Sequence, residues 1–270
     1  MITGCKVTGI IRADHLRDFG KWFHLRLYRL SCKPRLWALL LFLRTVWEPF
    51  CWLAGRRRWF KSQENIRRIL FIALDYRGDT LLATPSLTAL KERFPSAEIT
   101  VLAGEWSREL LLTNPAISKI ITYNAPWHKS SVTHLRHRPF QHLRDFLKII
   151  GHLWREQFDL AVDTCGEAAH ILLAYLSGAP YRVGYAIRSF VPWLKFEKLA
   201  PFLTHRVPYA WDRWLEWHRV DYNLHVVACL GAVPKNSSLV LDISPSAHER
   251  IRYFLEREGV RDVAHQVGRR

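Results

Sequence analysis

Apolar residues change their spacing near residue 69, and the chain divides there. Residues 69–74 (ILFIAL) form a short, wholly apolar run, as expected of a strand buried on both faces. After a polar connection at 75–79 (DYRGD), residues 80–94 place Leu81, Leu82, Leu87, Leu90 and Phe94 at helical spacing, with Pro95 and Ser96 as the stop. The alternation continues with strand 98–103, a short helix at 106–112 ended by Asn114-Pro115, strand 117–123, helix 140–157, strand 158–163, helix 167–176 and strand 182–185. Helices at 214–230 and 246–258, closed by Gly231 and Gly259, follow. Strands alternating with helices of this length imply right-handed crossovers and predict an α/β fold with a Rossmann-like parallel sheet.

The first quarter reads differently. Residues 36–54 (LWALLLFLRTVWEPFCWLA) lie between Lys33 and Arg35 on one side and Arg56, Arg57 and Arg58 on the other. A spanning helix needs about 20 predominantly apolar residues, and here Arg44, Glu48 and Pro49 interrupt the run. Three readings stand: an interfacial segment with Trp37, Trp47 and Trp52 at the lipid headgroups, a helical hairpin packed on the domain's own core, and a kinked span. Charge favours the first. The 270 residues carry 40 Lys and Arg against 24 Asp and Glu, a net +16, and residues 1–68 alone hold 15 against 4, a net +11, with five of the 12 tryptophans. A basic, aromatic-rich, helical extension predicts an anionic partner, with residues 36–59 facing a membrane surface. Nucleic acid is set aside, because the aromatics come with long aliphatic runs unsuited to such a site.

Five cysteines (Cys5, Cys32, Cys51, Cys165, Cys229) are odd in number and contain no C-x-x-C pair. They indicate neither a zinc site nor a disulfide framework, and the expected compartment is reducing. No secretory signal pattern follows Met1.

In an open parallel sheet, ligands bind beyond the carboxyl ends of the strands. The first such edge is 75–79, which holds neither a dinucleotide fingerprint nor a P-loop. Gly78 suits a sharp turn there, and Asp79 stands at the entry to the helix. Asp79 reads either as an N-cap or as a carboxylate poised as general base.

The order of the pieces bears on that choice. Gly78-Asp79, Thr84-Pro85 and Phe94-Pro95-Ser96-Ala97-Glu98-Ile99 are followed by Asn114-Pro115 with Ile117, and then by Phe158-Asp159-Leu160-Ala161-Val162-Asp163. Ser177-Gly178-Ala179 with Arg182-Val183-Gly184-Tyr185 comes next, then His218-Arg219-Val220-Asp221-Tyr222-Asn223-Leu224 with Leu230-Gly231. Together these resemble the amino-terminal half of glycosyltransferase family 9, the ADP-heptose:lipopolysaccharide heptosyltransferases. The resemblance implies a GT-B fold, with acceptor bound in the first Rossmann-like domain and nucleotide-sugar in the second. It also implies an inverting, metal-independent transfer with no cofactor beyond the donor, ADP-heptose or a similar nucleotide-sugar. Asp79 matches the family's proposed base. The acceptor is expected to be an anionic glycolipid, met at the cytoplasmic face of the inner membrane.

Two departures qualify the match. Many family members carry Lys or Arg six residues before the Asp, where this chain has Ala73, and Arg77 is the candidate substitute. The family's second domain carries an "HPG" turn, whereas this sequence reaches Arg270 where that domain's first strand would begin. The chain is therefore expected to be truncated and inactive alone. The alternative is a non-catalytic membrane- or glycolipid-binding remnant.

Other groupings are weaker. His128, His134, His137 and His142 fit no zinc spacing, so no metal is assigned. Lys129, Arg136 and Arg138 in the same stretch read as acceptor contacts, Arg forks being suited to phosphate, or as a solvated loop. Trp211, Trp214 and Trp217 fall on one helix face, as packing. Asp163 ends a strand at the same edge as Asp79 and reads as a turn or cap residue, or as an acceptor contact together with Arg77 and Gly78. The expected domains are a basic extension at 1–68, a Rossmann-like acceptor-side domain at 69–210, and linker helices with the start of a donor-side domain at 211–270.

Overall fold

The computed structural model describes residues 45–51, 66–125, 139–186, 202–208, 217–241 and 245–258. Its centre is a six-stranded, all-parallel sheet in the order β3-β2-β1-β4-β5-β6. The strands are β1 (Arg68–Ala73), β2 (Glu98–Ala103), β3 (Lys119–Thr122), β4 (Leu160–Asp163), β5 (Tyr181–Ala186) and β6 (His205–Pro208). The helices are α1 (Arg77–Leu82), α2 (Thr84–Arg93), α3 (Arg108–Leu111), α4 (Pro139–Glu156), α5 (Ala168–Leu176), α6 (Arg219–Ala228) and α7 (Pro245–Arg257). Strand order reverses between β1 and β4, so the crevice at their carboxyl ends is the sheet's switch point.

Period-two alternation along β1 splits its apolar run between two cores. Ile69, Phe71 and Ala73 join Leu87 and Leu90 of α2 and Tyr222, Val226 and Val227 of α6. Leu70, Ile72 and Leu74 join Ile149 and Leu153 of α4 and Leu173 of α5. Helices on both faces explain why β1 tolerates no polar residue after Arg68. Each fully buried leucine here contributes about 1.5–3 kcal/mol by burial.

The expected strands appear within two residues of their predicted bounds, and β6 adds a sixth that sequence pattern did not reveal. The helix expected at 80–94 is two helices meeting at Ala83, because Pro85 begins a new helix within its first turn, where its missing N–H costs nothing. The helix expected at 214–230 begins instead at Arg219, after His218 caps it by accepting the N–H of Val220 at Nδ1. Trp217 therefore precedes the helix and packs edge-on against His225, while Trp211 and Trp214 lie outside the described residues.

Several motif residues hold this frame together. Asp159 accepts both Arg67 N and Arg68 N, tying the start of β4 to that of β1. The carbonyls of Phe202 and Ala179 both accept the buried Arg182 guanidinium, which lies 5.3 Å from the Tyr175 ring and holds the β5–β6 connection. A Cβ on Gly184 would stand 3.0 Å from Asp163 O, so the closeness of β5 to β4 requires glycine there. Asn223, 1% exposed, donates from Nδ2 to Leu82 O, and Tyr185 OH donates to Tyr222 O, so α6 is docked onto the sheet domain from both sides.

Trp47 of the amino-terminal extension also has neighbours in the domain. It stands edge-on to Trp154 of α4 at 4.9 Å, donates its indole N–H to Tyr175 O and packs against the cluster of Ile171, Tyr175, Leu176, Phe202 and Leu203. These contacts hold residues 45–51 against the domain. Trp37, Trp52, Arg56, Arg57 and Arg58 lie outside the described residues.

Candidate active site

Beyond the carboxyl ends of β1 and β4, Asp75 meets Cys165 of the loop after β4, His170 stands beside Asp163 and Glu167, and Arg219 of α6 reaches in towards Asp79. Asp79 is not the N-cap. Tyr76 holds that position, with no side-chain cap bond, and Asp79 is the third residue of α1, where an acidic side chain meets the positive end of the helix. Its carboxylate is thereby left available to the crevice, 38% exposed.

Burial raises the Asp79 pKa above its ordinary value; Arg219 pulls it down and Asp75 pushes it up. Arg219 Nε lies 3.9 Å from Asp79 Oδ1, and its guanidinium sits over the Tyr222 ring at 4.9 Å. Burial works against the Arg219 charge, but Cys165, Asp75 and Asp79 hold it firmly protonated. Arg219, at the start of α6, is thus a cation that faces Asp79.

Arg77, expected to replace that cation, instead donates Nε to Trp106 O. Trp106 donates its indole N–H to Asp75 O at 2.8 Å, and its ring occupies the space where a Cβ on Gly104 would be. Gly78 lies inside α1 without a positive φ, and a Cβ there meets nothing within 4 Å, so the turn does not depend on it.

Asp163 is fully buried. Its carboxylate accepts Cys165 N and Gly166 N at 3.0 Å each and faces His170 Nδ1 at 3.2 Å, which is the turn role foreseen for it. Burial opposes a charge on His170, but Asp163, Asp75 and Glu167 together push its pKa up to about 9. The Cys165 thiol donates to Asp75 Oδ1 at 3.1 Å, and burial with Asp75 close by pushes it well above the ordinary thiol range. Burial also raises Glu167. Lys129, Arg136 and Arg138 lie outside the described residues, as do His128, His134 and His137.

Sequence reading missed Arg219, Asp75, Cys165, Glu167 and His170 as a group. Asp75 and Cys165 each follow a strand's end, which was the available signal, whereas Arg219 and His170 enter only through helix packing.

No family model matches the chain. Lipopolysaccharide heptosyltransferase 3 of Escherichia coli is 26% identical over 187 residues, covering 68% of this chain and 49% of that protein. Lipooligosaccharide heptosyltransferase 2 of Haemophilus ducreyi is 25% identical over 118 residues, 44% of this chain and 30% of that protein. The chain is thus similar to heptosyltransferases, at 25–26% identity over the matched residues. A crystal structure of a family 9 glycosyltransferase from Veillonella parvula shares the fold, with a TM-score of 0.52 at 21% identity, over 75% of this chain and 52% of that one. The chain spans about half the length of the curated heptosyltransferases it matches. Among the described residues no helix is long and apolar enough to cross a membrane.

Proposed function

We propose that this chain is the acceptor-side half of a family 9 heptosyltransferase acting in lipopolysaccharide synthesis, with Asp79 as its general base. The observation that carries the reading is Asp79 itself: a half-buried carboxylate, raised in pKa and faced by Arg219, at the switch point of a sheet whose relatives transfer heptose. An acceptor hydroxyl must lose its proton as it attacks the anomeric carbon, and a carboxylate free of capping duty is available to take it. The nucleotide diphosphate leaves with the bonding pair. Inversion follows from a single in-line displacement, with no covalent enzyme intermediate.

Arg219 opposes the burial that raises the Asp79 pKa and so favours its ionised form. Asp163 and Arg77 act one step back: the first shapes the loop after β4, and the second ties α1 to the turn bearing Trp106. Lys129, Arg136 and Arg138 remain the proposed phosphate contacts of the acceptor. Because the chain spans half the length of its relatives, we expect the isolated 270 residues to bind acceptor without turnover.

The acceptor is lipid-borne, and the proposed location is the cytoplasmic face of the inner membrane. Leu143, Leu147 and Trp154 share one stripe of α4; Leu143 and Leu147 are exposed, and Phe50, also exposed, stacks on Trp154. This stripe, with Phe50 stacked beside it, is the proposed membrane-facing side. It equally favours the second reading, a non-catalytic glycolipid-binding chain.

The test is transfer of heptose from ADP-heptose to lipopolysaccharide-core acceptor, with this chain joined to the donor half of a family 9 relative. Turnover that Asp79→Asn abolishes supports catalysis. Acceptor binding with no turnover in the joined protein establishes the second reading.

A further inference from the structure

We propose that Asp75, Cys165 and His170 form a binding site for one divalent cation of the zinc type, bridging the loops that follow β1 and β4. One ligand atom from each of these residues lies within 4.8 Å of the other two. In a tetrahedral site with bonds of about 2.0–2.3 Å, neighbouring ligand atoms stand roughly 3.5 Å apart. Cys165 Sγ and Asp75 Oδ1, at 3.1 Å, already have that spacing, and His170 needs to move by no more than about an ångström.

The second observation is His170. Its side chain is fully buried, and its Nε2 has no hydrogen-bond partner among the described residues. A buried polar atom without a hydrogen bond costs about 1–3 kcal/mol, and this one belongs to a side chain grouped with a cysteine and a carboxylate. Asp163 holds the other ring nitrogen at 3.2 Å, the outer carboxylate arrangement that orients a metal-binding imidazole and leaves Nε2 for the cation. The same carboxylate accepts the N–H of Cys165, so one buried group positions two of the three ligands. Glu167, the N-cap residue of α5, places Oε2 3.9 Å from His170 Nε2, outside the three-residue group, and the fourth position is left to solvent.

Charge points the same way. Asp75, Asp163 and Glu167 converge on this corner, answered by Arg219 and His170. On binding, the thiol proton of Cys165 and the Nε2 proton of His170 leave to solvent. The bound set is then one thiolate, one carboxylate and a neutral imidazole. A sulfur–nitrogen–oxygen donor set selects zinc, cobalt or nickel and excludes magnesium and calcium, which take oxygen ligands. The cation's role is to hold the two loops that frame the crevice. It takes no part in the transfer step and does not depend on the transferase reading.

The experiment is titration of the full metal-free chain with Zn2+ by calorimetry and with Co2+ by absorbance. One equivalent should bind, with a thiolate-to-cobalt charge-transfer band that excess Mg2+ does not displace. Cys165→Ser should remove the band, and Asp75→Asn, a change at the rim of the crevice, should weaken binding more than about tenfold while the fold is retained. Cys229→Ser, at an exposed cysteine, should leave both unchanged. If Cys165→Ser fails to fold, Asp75→Asn and the wild-type band decide. No band, or a band and affinity indifferent to Asp75→Asn, overturns the proposal and leaves a thiol–carboxylate hydrogen bond. Binding that survives Cys165→Ser in a folded protein overturns it as well, placing the metal on the histidines of 128–142.

Discussion

Arg219, the first residue of α6, reaches back across the switch point to place its Nε 3.9 Å from Oδ1 of Asp79, the third residue of α1. Distant segments of chain thereby set the charge of the candidate base. The pair is partly exposed, 30% for Arg219 and 38% for Asp79, so its effect is on protonation more than on stability.

Asp79→Asn should lower transfer by the joined protein about a hundredfold to ten-thousandfold with acceptor affinity retained, measured by initial rates and equilibrium binding. Because the Asp79 pKa is raised in the fold, its neutral form is favoured there. Its contribution to stability is present below the unfolded carboxylate value and is lost as pH rises through the folded value. At pH 7 the Asn variant should therefore melt no lower than wild type, and calorimetry at pH 4 and pH 7 checks the sign.

Arg219→Gln removes the cation that draws the Asp79 pKa down. The acid limb of the kcat/KM profile should move to higher pH, because the base works only when ionised. Arg219→Lys should restore part of the displacement. A profile unchanged in Arg219→Gln would show that the pair does not govern the base.

Asn223→Ala leaves Leu82 O without the donor that docks α6. An orphaned buried acceptor costs about 1–3 kcal/mol. Urea denaturation should show that loss of stability, and hydrogen exchange should rise first in α6.

Gly184→Ala sets a methyl 3.0 Å from Asp163 O, in the middle of the β4–β5 pairing. Overpacking of this kind costs about 1–3 kcal/mol. Since the strain falls on Asp163, thermal denaturation should show the loss together with weaker binding at the crevice.

Leu143→Ser with Leu147→Ser removes exposed apolar surface from α4 without opening a cavity. Sedimentation with anionic vesicles should fall while the melting temperature stays within about a degree, surface changes being nearly neutral. Equal sedimentation of variant and wild type would remove this face from the membrane proposal.

The strands were legible because burial on both faces demands apolar runs, unbroken in 69–74 and interrupted only by Thr100 in 99–103. β6 was not, because at the sheet's edge only Val207 of its four residues is buried, and HRVP carries no such pattern. The break at Ala83 was hidden by leucines that keep helical spacing on both sides of it, although Pro85 was in view.

At the site the division follows the same physics. Asp79 could be located from sequence because it lies a few residues from a strand end, where topology alone opens a crevice. Whether it capped a helix or faced that crevice depended on where the helix starts, three residues earlier than its leucine spacing indicates, and the fold decided it. Arg77 looked like the missing cation because it is near in sequence; in space its guanidinium donates to Trp106 O, and Arg219 faces Asp79. The sequence by itself determined the α/β class, the parallel sheet and the edge where ligands meet it, since these follow from local periodicity. Only the tertiary structure decided which charges face one another, because α5 and α6 bring His170 and Arg219 to that edge by packing against the sheet, and local sequence does not encode that approach.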